Sequence, residues 1–150
     1  MQTSSTGGRS PLLPIVLVRR RDAHPVWTWI ALTGLMIAAL LAVFGLPPVD
    51  LHGLLHYVGV MDPFCGGTRS VYLTLHGQLR EAVRYNPAGP LLVLAAVALL
   101  VRAAAGWSTG YWVGVRVARR IWIPVLVVAA TALEVNQQLN AALLTQPWTG

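Results

Sequence analysis

Lysine is missing from this chain, cysteine occurs once, and only five residues are acidic, which closes several chemistries before any motif is sought. The lone Cys65 excludes an intramolecular disulfide and any structural zinc site built from several thiolates, and it leaves the redox compartment undetermined. No Ser-His-Asp pattern, phosphate-binding P-loop or dinucleotide fingerprint is present, and no cofactor is expected. Charged residues make up 11% of the 150 positions and hydrophobic ones 55%, far from an average soluble composition, so the solvent implied is a bilayer. All eleven basic residues are arginine and the net charge is +6, which points to anionic partners. The arginines flank apolar runs and are not interleaved with base-reading segments, so anionic lipid head groups are expected and nucleic acid is not.

What is present in quantity is long apolar sequence. Residues 1–24 read as a flexible basic tail: a Ser/Thr/Gly-rich start, a patch from Leu12 to Val18 broken by Pro14, then Arg19-Arg20-Arg21. Nothing after Val43 resembles a signal cleavage site, so an uncleaved anchor is expected. From about residue 25 onward a single membrane domain is predicted, with spans over about 26–46, 88–105 and 121–144. Trp27 and Trp29 suit the interfacial start of the first span, and Pro47-Pro48 ends it. The fold class predicted is an all-α integral membrane protein, three transmembrane helices with an amphipathic interfacial helical hairpin, about 50–86, between the first and second.

Three spans place the termini on opposite sides. With the N-terminus cytoplasmic, Arg9, Arg19, Arg20, Arg21, Arg102, Arg116, Arg119 and Arg120 lie inside and only Arg69, Arg80 and Arg84 outside. The expected location is therefore the cell membrane, multi-pass, with the C-terminus extracytoplasmic.

The hairpin segment holds the chain's most unusual stretch, Asp62-Pro63-Phe64-Cys65-Gly66-Gly67-Thr68-Arg69. Asp50 is expected to cap a short helix from Leu51 to about Val58, and Thr68 a second one that reaches His76, pauses at Gly77 and continues through Tyr85. On a single helical wheel Arg69, His76, Arg80 and Arg84 share one side, with Val71, Leu75, Leu79 and Ala82 opposite. Two readings of the turn stay open. In one, Gly66, Gly67, Thr68 and Arg69 form a backbone nest at a helix N-terminus that, with Arg80 and Arg84, binds an anion or a partner, or activates Cys65 as a candidate nucleophile with His56 or His76 as base. In the other, the glycines serve a tight turn and Cys65 is a small buried packing residue. A metal site from His52, His56, Asp62 and Cys65 has no motif to fix its geometry, and no metal is expected.

Glu134 lies on the order of 20 Å from the inner end of the third span, where an ionisable group is costly unless protonated or paired. Thr131, Glu134 and Gln138 share a face, with Asn136 alongside, so this polar half-helix is expected to meet the bundle interior or a partner. Arg69, on the same side by topology, is the expected mate of Glu134.

The turn, followed by Gly77-Gln78-Leu79-Arg80-Glu81-Ala82 and by Tyr85-Asn86-Pro87-Ala88-Gly89 before an apolar span, resembles the bacterial domain of unknown function 2752 family. These small membrane proteins are marked by Cys-Pro-x-Cys-Gly-x-Thr-Arg and by Asn-Pro leading into a span. The resemblance covers roughly residues 47–140 and implies a membrane protein of a family without an assigned activity. Asp62 stands where that family has its first cysteine, so a two-cysteine redox or metal role cannot operate here. Val135-Asn136 keeps only the asparagine of a family Arg-Asn pair. The function expected is a small binding or accessory subunit engaging a larger membrane protein, a homo-oligomer or anionic lipid. The competing expectation is a membrane enzyme acting on a lipid or acyl substrate through Cys65.

Overall fold

The computed structural model describes residues 15–46, 62–116 and 118–146. Its elements, in chain order, are β1 (Ile15–Arg19), α1 (Pro25–Phe44), α2 (Gly67–Leu75), α3 (Leu79–Tyr85), α4 (Ala88–Thr109), β2 (Trp112–Arg116), α5 (Arg119–Leu139) and α6 (Ala141–Leu144). The expected helix over 51–58, His52 and His56 lie outside the described residues.

Three helices are long and apolar enough to cross a membrane: Pro25–Phe44, Ala88–Thr109 and Arg120–Leu139. α1 starts on Pro25, whose fixed φ suits a first turn, and stops at Gly45 with φ 79°. Its buried positions, Thr28, Ala31 and Ala38, are small and recur on one side, where α4 packs antiparallel to it. Small residues let two helices approach closely where no water drives them together. α4 buries Gly89, Ala103 and Gly106 and runs a turn past the expected end, because nothing in Gly106-Trp107-Ser108-Thr109 stops it before Gly110. There the N–H of Gly110 donates to the Gly106 carbonyl at 2.9 Å with φ 73°, a left-handed helix stop.

The all-α expectation needs one correction. Ile15–Arg19, inside the segment read as a tail, pairs antiparallel with Trp112–Arg116 in a two-stranded sheet, Ile15 opposite Arg116 and Arg19 opposite Trp112. β2 lies against the end of α4, where Trp112 fills the space left by Gly106: a Cβ there would sit 2.5 Å from the indole. The sheet is locked to the spans by Asp22 and Arg102. Arg102 Nη2 donates to Asp22 Oδ1 at 2.9 Å, its Nε donates to the Val113 carbonyl, and its guanidinium stands 5.4 Å from the Trp112 ring. Burial pushes the Asp22 carboxyl up, but the Arg102 hydrogen bond and charge, with the His24 N–H, outweigh it and hold the group below its ordinary value.

At the opposite end, α2 and α3 fold back on each other and α2 lies over α1 and α4. The single arginine-lined helix expected through Tyr85 is therefore two helices. The break is a left-handed stop at Gly77, φ 74°, where Gly77 N–H donates to Thr74 O at 3.1 Å and Gln78 N–H to Leu73 O at 2.9 Å. The inward residues are consequently Ser70, Leu73 and Ala82, while Leu75 and Leu79, expected on the apolar side, are exposed. α5 is the least buried span, and among the described elements its substantial contact is with α6 alone.

Candidate functional site

The turn is built from its first residue. Asp62 Oδ1 accepts the Phe64 N–H at 2.8 Å and its carbonyl accepts the Cys65 N–H at 3.0 Å, a side-chain-closed turn that a cysteine could not make in the same way. Gly66 then adopts φ 71° and caps α2 in place of the expected Thr68, so the helix begins at Gly67. No other residue fits at 66, since a Cβ would lie 2.6 Å from Leu144 Cδ2 and 2.9 Å from the Tyr85 carbonyl oxygen.

Around this turn three separate segments are tied together. Asn86, fully buried, donates from Nδ2 to the carbonyls of Pro63 (3.0 Å) and Cys65 (3.1 Å), and its Oδ1 accepts the Ala88 N–H at 2.9 Å. One side chain thus links the turn to the first residue of α4. Ser70, also fully buried, directs its hydroxyl at the carbonyls of Ala82 (2.8 Å) and Asn86 (2.6 Å), closing α2 onto α3. Its neighbour across the interface is Gly89, where any side chain would collide with Ser70. Arg69 reaches the other way: Nη1 donates to the Gln146 carbonyl at 3.1 Å and the Leu144 carbonyl at 3.4 Å, with the guanidinium 5.8 Å from the Tyr85 ring. Cys65 is buried in a cluster with Leu144, flanked by Tyr85 and Ala141.

The sequence-predicted residues therefore divide. Gly66, Arg69 and Cys65 meet in this clasp. Gly67 and Thr68 face instead a groove of about 230 Å³ whose further walls include Ile37, Leu41, Val71 and Leu92. Arg80 and Arg84 are exposed on α3, Arg84 paired with Glu81 at 3.2 Å. His76 is exposed, stacked on Tyr72 at 4.2 Å, with Nδ1 2.9 Å from the Tyr72 carbonyl. Among the described residues no group of three His, Cys, Asp or Glu could hold a metal ion.

The expected mating of Arg69 with Glu134 is corrected. Arg69 goes to backbone carbonyls at the end of α6 and just past it, and the Glu134 carboxylate accepts from Gln138 Nε2 at 3.3 Å, one turn along its own helix. The reason is the break after Leu139: Asn140, with its Nδ2 on the Asn136 carbonyl at 2.8 Å, ends α5 and lets α6 turn back over Cys65. Asn136 is half-buried and Gln138 exposed, whereas Gln137, which the sequence did not single out, is fully buried with neither amide atom hydrogen-bonded. Ser70 and the Asn86 side chain were also missed. Their only sequence signal was position, one just after the Gly-Gly-Thr-Arg string and the other before Pro87.

Comparison with curated proteins and with solved structures finds no match. The model of the family described as "Protein of unknown function (DUF2752)" matches residues 54–100, a stretch that holds the described turn, the α2–α3 pair and the first half of α4. By that match, the resemblance to this family is borne out over residues 54–100, and the clasp-bearing segment is similar to it.

Proposed function

We propose that this protein is a membrane-embedded accessory subunit that binds another membrane protein through its third span, and that the Cys65–Arg69 turn is the clasp that holds that span in place. The observation that carries the reading is α5. Among the described residues it is nearly free on all sides, and it bears Thr131, Glu134 and Gln138, polar groups that gain from a partner's hydrogen bonds in place of lipid. Glu134 sits about 8 Å below the end of α5, at ~1.5 Å per residue, within reach of a partner's span. In this reading the α2–α3 pair lies at the extracytoplasmic surface, the N-terminus is cytoplasmic and the C-terminus outside. The burial of Cys65 supports a packing role over a nucleophilic one.

A photo-crosslinking amino acid at Val128, Val135 or Leu139 of α5, with Leu91 or Leu94 of α4 as controls, tests this in native membranes. The reading expects discrete protein adducts from the α5 positions, lost on Glu134→Leu. Lipid adducts alone from both helices would defeat it. An adduct at twice the chain's own mass would identify the partner as a second copy.

A further inference from the structure

The chain's net charge is concentrated at the sheet end. By position in the chain Arg19, Arg20, Arg21, Arg102, Arg116, Arg119 and Arg120 stand there against Asp22, seven minus one, while Arg9 and Asp50, outside the described residues, cancel each other in the whole-chain +6. At the hairpin end Arg69, Arg80 and Arg84 are balanced by Asp62, Glu81 and Glu134. Within the basic end lies a cavity of about 330 Å³, between the sheet, the residues leading into α1, the end of α4 and the start of α5. Arg19, Arg21, His24 and Arg102 line it, and the indoles of Trp112 and Trp122 form apolar walls. Asp22 answers the charge of Arg102, whereas Arg19 and Arg21 are exposed and make no ion pair among the described residues.

We propose that this cavity binds a phosphate-bearing group, its occupant being the phosphodiester head group of an anionic membrane lipid. Guanidinium groups match phosphate oxygens with forked hydrogen bonds, and Arg19 and Arg21 have no counterion among the described residues. The location selects the lipid: the cavity opens where three apolar helices begin or end, the level at which head groups lie and at which indoles such as Trp122 settle. Its size accommodates a phosphate with its attached glycerol. The site is separate from the hairpin arginines and from the α5 face, so it stands or falls independently of the subunit reading.

The test uses the full chain in dodecyl maltoside, with native mass spectrometry counting bound ligand during titration by phosphatidylglycerol, phosphatidylcholine, glycerol phosphate or inorganic phosphate. Phosphatidylglycerol should bind at least about tenfold more tightly than phosphatidylcholine, and the double variant Arg19→Gln with Arg21→Gln should weaken it about thirtyfold, each near-surface arginine contributing about five- to sixfold. The control pair Arg80→Gln with Arg84→Gln should keep it. All four side chains are exposed, and unchanged helical circular dichroism verifies folding. Equal binding of the two lipids, or equal losses in both double variants, overturns the proposal. Glycerol phosphate or inorganic phosphate binding as tightly as phosphatidylglycerol overturns the lipid assignment.

Discussion

Removing the Asn86 side chain should unlock the end of the bundle that carries the turn. In Asn86→Ala the carbonyls of Pro63 and Cys65 and the N–H of Ala88 lose their partners at once. A net hydrogen bond contributes about 1 kcal/mol, and a buried group left unpaired costs about 1–3 kcal/mol more strictly counted. The Cys65 contact is buried and the other two partly so, which gives a destabilisation of about 3–4 kcal/mol. Asn86→Asp is the sharper probe because shape is kept. Its carboxylate still accepts from Ala88 but has no hydrogen for the two carbonyls and sets negative charge against both oxygens. Protonation restores one donor, so this variant should gain stability from pH 8 to pH 5 relative to the parent measured at the same two pH values. Denaturant titration of the detergent-solubilised chain, followed by circular dichroism, reads both effects. Values within about 0.5 kcal/mol of the parent for both variants, the usual range of an inert surface change, would refute the clasp.

The same packing leads to three further outcomes. Gly66→Ala should cost about 2–4 kcal/mol, from its left-handed backbone and its collision with Leu144 and the Tyr85 carbonyl, whereas Gly77→Ala, with nothing within 4 Å of the added carbon, should cost only about 1 kcal/mol; equal costs in thermal melts would contradict the packing argument. Asp22→Asn should destabilise by about 1–3 kcal/mol at neutral pH. Because Arg102 holds the Asp22 carboxyl below its ordinary value, that contribution is complete above the ordinary carboxylate range and is lost as pH falls through the lowered value, so parent and variant should converge in acid. Gln137→Met removes a buried amide with no hydrogen-bond partner while keeping its volume, and should raise stability by about 1 kcal/mol; a loss would show that the amide is paired in the membrane.

The spans were legible because runs of twenty or so largely apolar residues have few alternatives to crossing a bilayer, and Pro25, Gly45 and Gly110 mark limits of the first two locally. Gly77 was visible as a pause. That the chain reverses there depends on Ser70 reaching the carbonyls of Ala82 and Asn86, contacts across twelve and sixteen residues that no local pattern announces. The sheet was hidden for the same reason: Leu17 faces Gly114, and strands so short carry almost no periodicity. Arg69 was recognised as important, but its partner was sought in a charge. In the structure it caps backbone carbonyls at the end of α6 and just past it, a role that any stretch of chain could fill and that composition cannot reveal.

The central claim is that Cys65 belongs to a closed structural clasp. Its most direct test is the rate of alkylation of Cys65 by a small maleimide in native membranes, before and after denaturation and across pH 6–9. With the thiol buried beneath Leu144 and Tyr85, labelling should be negligible until the protein is unfolded and should become fast in Gly66→Ala or Asn86→Ala, where the cover is loosened. Rapid labelling of the native parent at neutral pH, rising with a thiolate titration, would contradict the clasp and point to a reactive cysteine.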